Sequence, residues 1–200
     1  MSDKRAVLRG MRRMTHQSLH LRDAVDDDVP EIARIYGHYV RTTCFTFEEV
    51  APSREEMAAR LHRVRKSRLP WRVAVAADGG IFGYAYATPF RPRSAYRYTI
   101  ENSVYVAPEH VRRGVGLALM RDLMRACTEL GYRQMIAVIG DSTNGGSLRL
   151  HTRLGFRTIG HQLAVGLKFG RWVDVVQLQI ALGEGARSLP AAEPQGYVRG

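Results

Sequence analysis

The stretch that most constrains this chain is VYVAPEHVRRGVGLALM, residues 104–120. An alternating segment, TIENSVYV, runs into a proline turn. The basic pair Arg112 and Arg113 follows, then Gly114 and Gly116, and then an apolar run of helical period. A strand fed through glycines into a helix must lay that helix back on a sheet, which predicts an α/β chain. Glycines at a helix start let the backbone approach a ligand and expose N–H groups that no helical turn satisfies. With the helix dipole these orphan donors make an anion site, and the two arginines add charge beside it. On spacing alone two readings stay open: a cradle for a pyrophosphate, or close packing of helix on strand. The lysine and hydroxyl of a Walker loop are absent. A dinucleotide fingerprint would need a third glycine where position 119 is Leu.

Around this segment the other elements fall into order. SLHLRDA alternates as a strand. DDDVPEIARIYGHYV has acidic residues at its start and Ile32, Ile35, Tyr36 and Tyr39 on one helical face. SREEMAARLHRVRKS carries Ser53 and Glu56 at capping-box spacing and basic residues at its far end. WRVAVAA, DGG and IFGYAYAT read as a hairpin. The loop FRPRSAYRY precedes TIENSVYV. In the helix GVGLALMRDLMRACTEL, Leu119, Leu123, Cys127 and Leu130 line the buried side, and Gly131 ends it. MIAVI is a buried strand, SLRLHTRL a short helix, and GFRTIGHQLAV and WVDVVQLQIAL are closing strands. The order β α α β β β α β α β β predicts one mixed α/β domain over residues 18–182, with a central sheet of about six to seven strands and four flanking helices. Residues 1–17 read as a basic, disordered leader and 183–200 as a loosely ordered tail.

Composition narrows the function. The 200-residue chain is 45% hydrophobic, enough for a real core. No apolar run is long enough for a membrane span and no secretory leader is visible, which predicts a cytoplasmic protein. Cys44 and Cys127 sit in no metal-type or disulfide pattern, so no metal is expected. The net charge of +11 is spread through the chain as well as concentrated in the leader. It favours an anionic ligand. The absence of aromatic-interleaved basic stripes and zinc-finger spacing argues against nucleic acid.

The glycine segment resembles the coenzyme A loop of the GNAT N-acetyltransferases, whose pattern is Arg/Gln-x-x-Gly-x-Gly/Ala. Here it falls on Val111 to Gly116, with Val111 departing from the first position. NGGSLRLHTRLGF resembles that family's asparagine loop and following helix. RSAYRYTIENSVYV, MIAVIGDSTN, SLRLH and VGLKFGRWVDV together are similar to its phosphinothricin/methionine-sulfoximine branch. The resemblance implies a GNAT fold, acetyl-CoA as co-substrate, a small amino-acid-like amine as acceptor, and a homodimer.

It also implies roles for particular residues. Glu101 is the candidate general base, on one strand face with Thr99 and Ser103. His151 stands where many members have a proton-donating tyrosine, and either donates a proton or hydrogen-bonds the sulfur. Val104, Tyr105 and Val106 would hold the cofactor arm through backbone groups. Arg112, Arg113, Gly114, Val115, Gly116 and Leu117 would hold its diphosphate, and Asn144 and Ser147 would touch it from the next helix. Arginine suits carboxylate or phosphinate recognition. Arg91, Arg93, Tyr96 and Arg97, with Glu101, Asn102 and Ser103, are therefore the candidate acceptor site. Phe169 and Trp172 either cover acceptor across a dimer interface or belong to the core. Two other functions stay in view. One is a peptide or protein N-terminal acetyltransferase, which predicts an open groove beside FRPRS. The other is a non-catalytic acyl-CoA-sensing or nucleic-acid-binding module.

Overall fold

The computed structural model describes residues 19–195 and Tyr197. The basic leader expected over residues 1–17 lies outside the described residues. The elements follow the expected order. They begin with β1 (His20–Asp23), α1 (Val29–Thr42), α2 (Arg54–Lys66), β2 (Trp71–Val75), β3 (Ile81–Pro89) and β4 (Thr99–Val106). They continue with α3 (Val115–Glu129), β5 (Gln134–Gly140), α4 (Gly145–Arg153), β6 (Arg157–Lys168) and β7 (Arg171–Ala181).

Local chemistry explains the helix ends. Ser53 Oγ accepts from the Glu56 backbone N–H at 3.2 Å and caps α2. The reciprocal half of the expected capping box is missing, because the Glu56 carboxylate turns outward to Arg60 and Arg63. On α1, Ile32, Ile35, Tyr36 and Val40 are buried at helical spacing, and Tyr39 is partly buried beside them. On α3, Leu119, Leu123 and Cys127 are fully buried, while Leu130 is only partly so.

The strands form one seven-stranded sheet in the order β1-β2-β3-β4-β5-β7-β6. Every neighbouring pair is antiparallel except β4 and β5, which α3 joins as a parallel crossover. The helices cover opposite faces. Leu119 of α3 lies against Gly83, whereas the next residue, Tyr84, packs on Tyr105, which meets Tyr36 of α1 edge-on at 5.0 Å.

Two regions differ in detail from the reading of the sequence. β6 runs to Lys168, and a two-residue turn joins it to β7. Both turn residues, Phe169 (φ 51°) and Gly170 (φ 72°), are left-handed. Such turns match strand twist but favour Asn-Gly, so Phe-Gly hides the signal. The segment after β7, expected to be loosely ordered, turns back onto the body. Gln195 N–H donates to the Leu130 carbonyl at 3.0 Å, Tyr98 donates to the Ala192 carbonyl at 3.3 Å, and Pro194 is buried beside Gly131.

Candidate active site

The parallel pair β4–β5 is joined only over Thr99–Asn102 and Gln134–Ala137. Beyond these residues the two strands part, and a cleft of about 760 Å³ opens between them. Its walls include Ser103 to Val106 on one side and Val138 and Ile139 on the other. The antiparallel bond from Ala107 N–H to the Phe82 carbonyl sets the phase of the β3–β4 ladder. Alternation then turns the backbone groups of Ser103 and Tyr105 toward β3, and those of Val104 and Val106 toward the open side. The Val106 carbonyl is already taken by the Tyr39 hydroxyl at 2.6 Å. Of the three backbone positions expected to hold a cofactor arm, Val104 and Val106 therefore present donors, and Tyr105 contributes only its place in the wall.

At the mouth of the cleft the glycine loop has the geometry of an anion cradle. Arg112 (φ 62°) and Gly114 (φ 83°) are both left-handed, with Arg113 between them, a backbone pattern of the kind that gathers successive N–H groups into a concavity. Ala118 N–H bonds the Gly114 carbonyl at 3.0 Å. Helix geometry leaves the N–H groups of Val115, Gly116 and Leu117 without intrahelical acceptors. Gly116 serves packing as well: a Cβ there would meet Leu150 at 3.2 Å and Val106 at 3.5 Å. Gly114 thus supplies a left-handed turn before the helix, and Gly116 the close packing of helix on strand. Three arginines line the cleft, Arg112, Arg149 and Arg153, and no carboxylate does among the described residues. Arg113 is exposed and is not part of the lining.

Asn144 caps α4, its side chain accepting from Ser147 N–H at 3.2 Å, and both residues line the cleft. His151, on the same helix, is buried. Its Nδ1 lies 2.9 Å from the Ser147 carbonyl and its Nε2 lies 3.0 Å from Asn102 Nδ2. Burial pushes the imidazole below its ordinary value.

Glu101 is on the opposite face of β4 from Asn102 and outside the cleft lining. Burial pushes its carboxyl above the usual carboxylate range, and the Arg91 guanidinium pulls the other way. Ser103, two residues along on the same face, does line the cleft. So do Tyr39 of α1 and Phe45 of the loop that follows it. The opening therefore passes through the sheet, from the α3–α4 face to the α1 face where Glu101 lies.

The arginine loop is only partly drawn to this place. Arg91 is the member that feels Glu101. Arg97 pairs with Glu193 of the tail at 3.4 Å and stacks on Tyr98. Tyr96 packs edge-on against Phe90 at 5.8 Å, and Arg93 is exposed. Phe169 and Trp172 are exposed and do not belong to the core. Arg149 and Arg153 were legible as an i, i+4 pair on one helix face. Tyr39, Phe45 and His110, which also line the cleft, carry no local signal.

Fold and site together define a split-sheet α/β protein with an arginine-lined cleft at the end of its central strand. Residues 33–156 match the acetyltransferase (GNAT) family model. The chain is 50% identical over 165 residues to phosphinothricin N-acetyltransferase of Alcaligenes faecalis, covering 82% of this chain and 83% of that protein. It is 35% identical to L-methionine sulfoximine/L-methionine sulfone acetyltransferase of Pseudomonas aeruginosa, covering 86% of this chain and 99% of that protein. Among solved structures, it resembles a GNAT superfamily phosphinothricin acetyltransferase from Sinorhizobium meliloti in complex with acetyl-CoA. The TM-score is 0.84 and the identity 43%, over 86% of this chain and 93% of that one. The chain belongs to the acetyltransferase (GNAT) family.

Proposed function

We propose that this protein transfers an acetyl group from acetyl-CoA to the α-amino group of a small amino-acid-like acceptor of the phosphinothricin or methionine sulfoximine type. The observation that carries the reading is the cleft that crosses the parted sheet. One end offers N–H groups without intrahelical acceptors and three arginines, and no carboxylate among the described residues. The other reaches the strand face of a half-buried glutamate.

In this reading Val115, Gly116 and Leu117 N–H groups with Arg112 bind the diphosphate, and Arg149 and Arg153 meet further anionic charge. Bound acetyl-CoA supplies an activated thioester. The Val104 and Val106 N–H groups are the donors available to its carbonyl oxygen as negative charge develops there. An α-ammonium has a pKa of about 8 or somewhat above, so the acceptor arrives largely protonated and cannot attack. Glu101 removes that proton, directly or through water, and the free amine attacks the thioester carbonyl directly. The C–S bond breaks as the C–N bond forms, releasing coenzyme A as a thiolate that takes up a proton from solvent. Arg91, beside Glu101, is the arginine positioned to meet an acidic group on the acceptor.

We further propose a cytoplasmic homodimer. Leu163, Val165, Leu167, Phe169 and Trp172 lie on the β6–β7 hairpin and are all more than half exposed. A patch of that kind favours a protein partner. Among the described residues no helix is long and apolar enough to cross a membrane. Both free thiols, Cys44 and Cys127, are buried, which suits a reducing compartment.

The test is a thiol-release screen with acetyl-CoA against phosphinothricin, methionine sulfoximine, methionine sulfone, aminoglycosides and short peptides. Saturable turnover on the first three is the expected result. Saturable turnover on peptides alone overturns the acceptor assignment.

A further inference from the structure

His151 and Asn102 come from α4 and β4, and both are nearly sealed from solvent, at 2% and 5% exposure. Their hydrogen bonds specify where the ring proton sits. His151 Nδ1 lies 2.9 Å from the Ser147 carbonyl oxygen, which can only accept, and 3.3 Å from Ser147 Oγ, which can accept as well; the shorter carbonyl contact requires a proton on Nδ1. Asn102 Nδ2 lies 3.6 Å from the Met120 sulfur, a group that also accepts and does not donate. That sulfur orients the amide with its NH2 group inward; a flipped amide would set oxygen against the thioether. The same Nδ2 faces His151 Nε2 at 3.0 Å, so Nε2 must be the bare, accepting nitrogen. The Phe156 ring packs edge-on against the imidazole at 4.9 Å and helps keep water away.

This arrangement has a consequence at the other end of the amide. Asn102 Oδ1 is buried and has no hydrogen-bond partner among the described residues. Asn102 is also part of the cleft wall. A buried acceptor on a cleft-lining residue that finds no donor within the described chain points to a donor from outside it.

We infer that His151 is a neutral positioning residue, which holds the Asn102 amide so that Oδ1 meets an N–H donor of a bound ligand. The inference rests on the reading that the cleft holds acetyl-CoA beside an amine. The donor is either an amide N–H of the cofactor arm or the amino group of the acceptor. A ring of this tautomer has no Nε2 proton to give to a departing sulfur.

The decisive measurement needs no turnover. A long-range proton–nitrogen correlation spectrum of the 15N-labelled full chain at pH 7.5 reads the tautomer, with the His151 signals identified by their loss in His151→Gln. Protonated Nδ1 and bare Nε2 are expected. An Nε2–H tautomer or a doubly protonated ring overturns the inference. Failure of the acceptor assignment leaves this spectrum unaffected, so the two ideas fail separately.

Asn102→Leu, checked by thermal melting, then locates the donor. A Kd for acetyl-CoA raised about tenfold, the size of one hydrogen bond, assigns it to the cofactor. An unchanged Kd with a similar rise in KM for phosphinothricin assigns it to the acceptor. If neither moves, Oδ1 meets no ligand and the inference falls. Glutamine at position 151 can still accept from Asn102, so His151→Gln should recover most of the affinity that His151→Leu loses. Equal losses in the two variants also count against it.

Discussion

Replacing Glu101 by glutamine separates chemistry from binding and from folding in one variant. The side chain keeps its size and most of its hydrogen-bonding capacity, but loses the ability to take a proton. A positioned general base contributes about a hundred- to ten-thousand-fold to rate. That is about 3–5 kcal/mol of transition-state stabilisation, and kcat should fall by that factor. Glu101 lies outside the cleft lining, so the Kd for acetyl-CoA should stay within about twofold, under 0.5 kcal/mol. Stability should move the opposite way from activity. Burial raises the folded-state pKa of Glu101, so the folded protein holds this proton more tightly than the unfolded chain does. The resulting stability is present below the unfolded carboxylate pKa and is lost as pH rises through the raised one. At pH 7 the wild type therefore carries a destabilising ionised glutamate that the glutamine variant lacks. Glu101→Gln should melt at a higher temperature than wild type at pH 7, and the difference should vanish near pH 4. The assays are thiol release, calorimetric titration with acetyl-CoA, and melting at both pH values. A variant that keeps more than a third of wild-type kcat, or that loses acetyl-CoA binding in step with activity, would falsify the assignment of Glu101 as base.

The remaining expectations concern the cradle and the acid limb of the rate profile. Arg149→Ala and Arg153→Ala should each weaken acetyl-CoA binding by about tenfold or more, as expected for charge-assisted bonds. The loss should shrink at high salt; a salt-independent loss would point to packing instead. Gly114→Ala should cost about 1–2 kcal/mol, because the backbone there is left-handed although a Cβ would touch nothing within 4 Å. Chemical denaturation and acetyl-CoA titration would read that cost, and an alanine variant matching wild type in both would mean the loop is not held in this shape. The acid limb of kcat/KM should report an apparent pKa above the ordinary glutamate value, and Arg91→Ala should move it higher still, since Arg91 opposes the shift. A limb that moves lower in Arg91→Ala would show that the limb does not belong to Glu101.

Periodicity and punctuation made most elements legible. β4 runs Thr99–Val106, matching the alternating segment TIENSVYV, and α3 begins at Val115, one residue after the left-handed glycine. Where a residue's role depends on a partner far along the chain, the sequence was silent. Arg97 looked as ready for an acceptor as Arg91, yet Glu193, near the other end of the chain, holds it. Asn102 looked like an acceptor contact, and His151 like either an acid or a hydrogen bond to the sulfur. Only their meeting, across 49 residues, exposes the tautomer and the orphaned oxygen.

By itself the sequence determined the order of strands and helices, the glycine turn that opens α3, and the glutamate on the strand leading into it. Those features depend on repeats of two and 3.6 residues and on the backbone freedom of glycine, all of which act within a few positions. Tertiary structure alone decided where β4 and β5 part, which arginines face the opening, and which backbone donors are left unpaired. Those outcomes depend on which distant segments pack together, since a polar group's partner is set by what lies across from it in space.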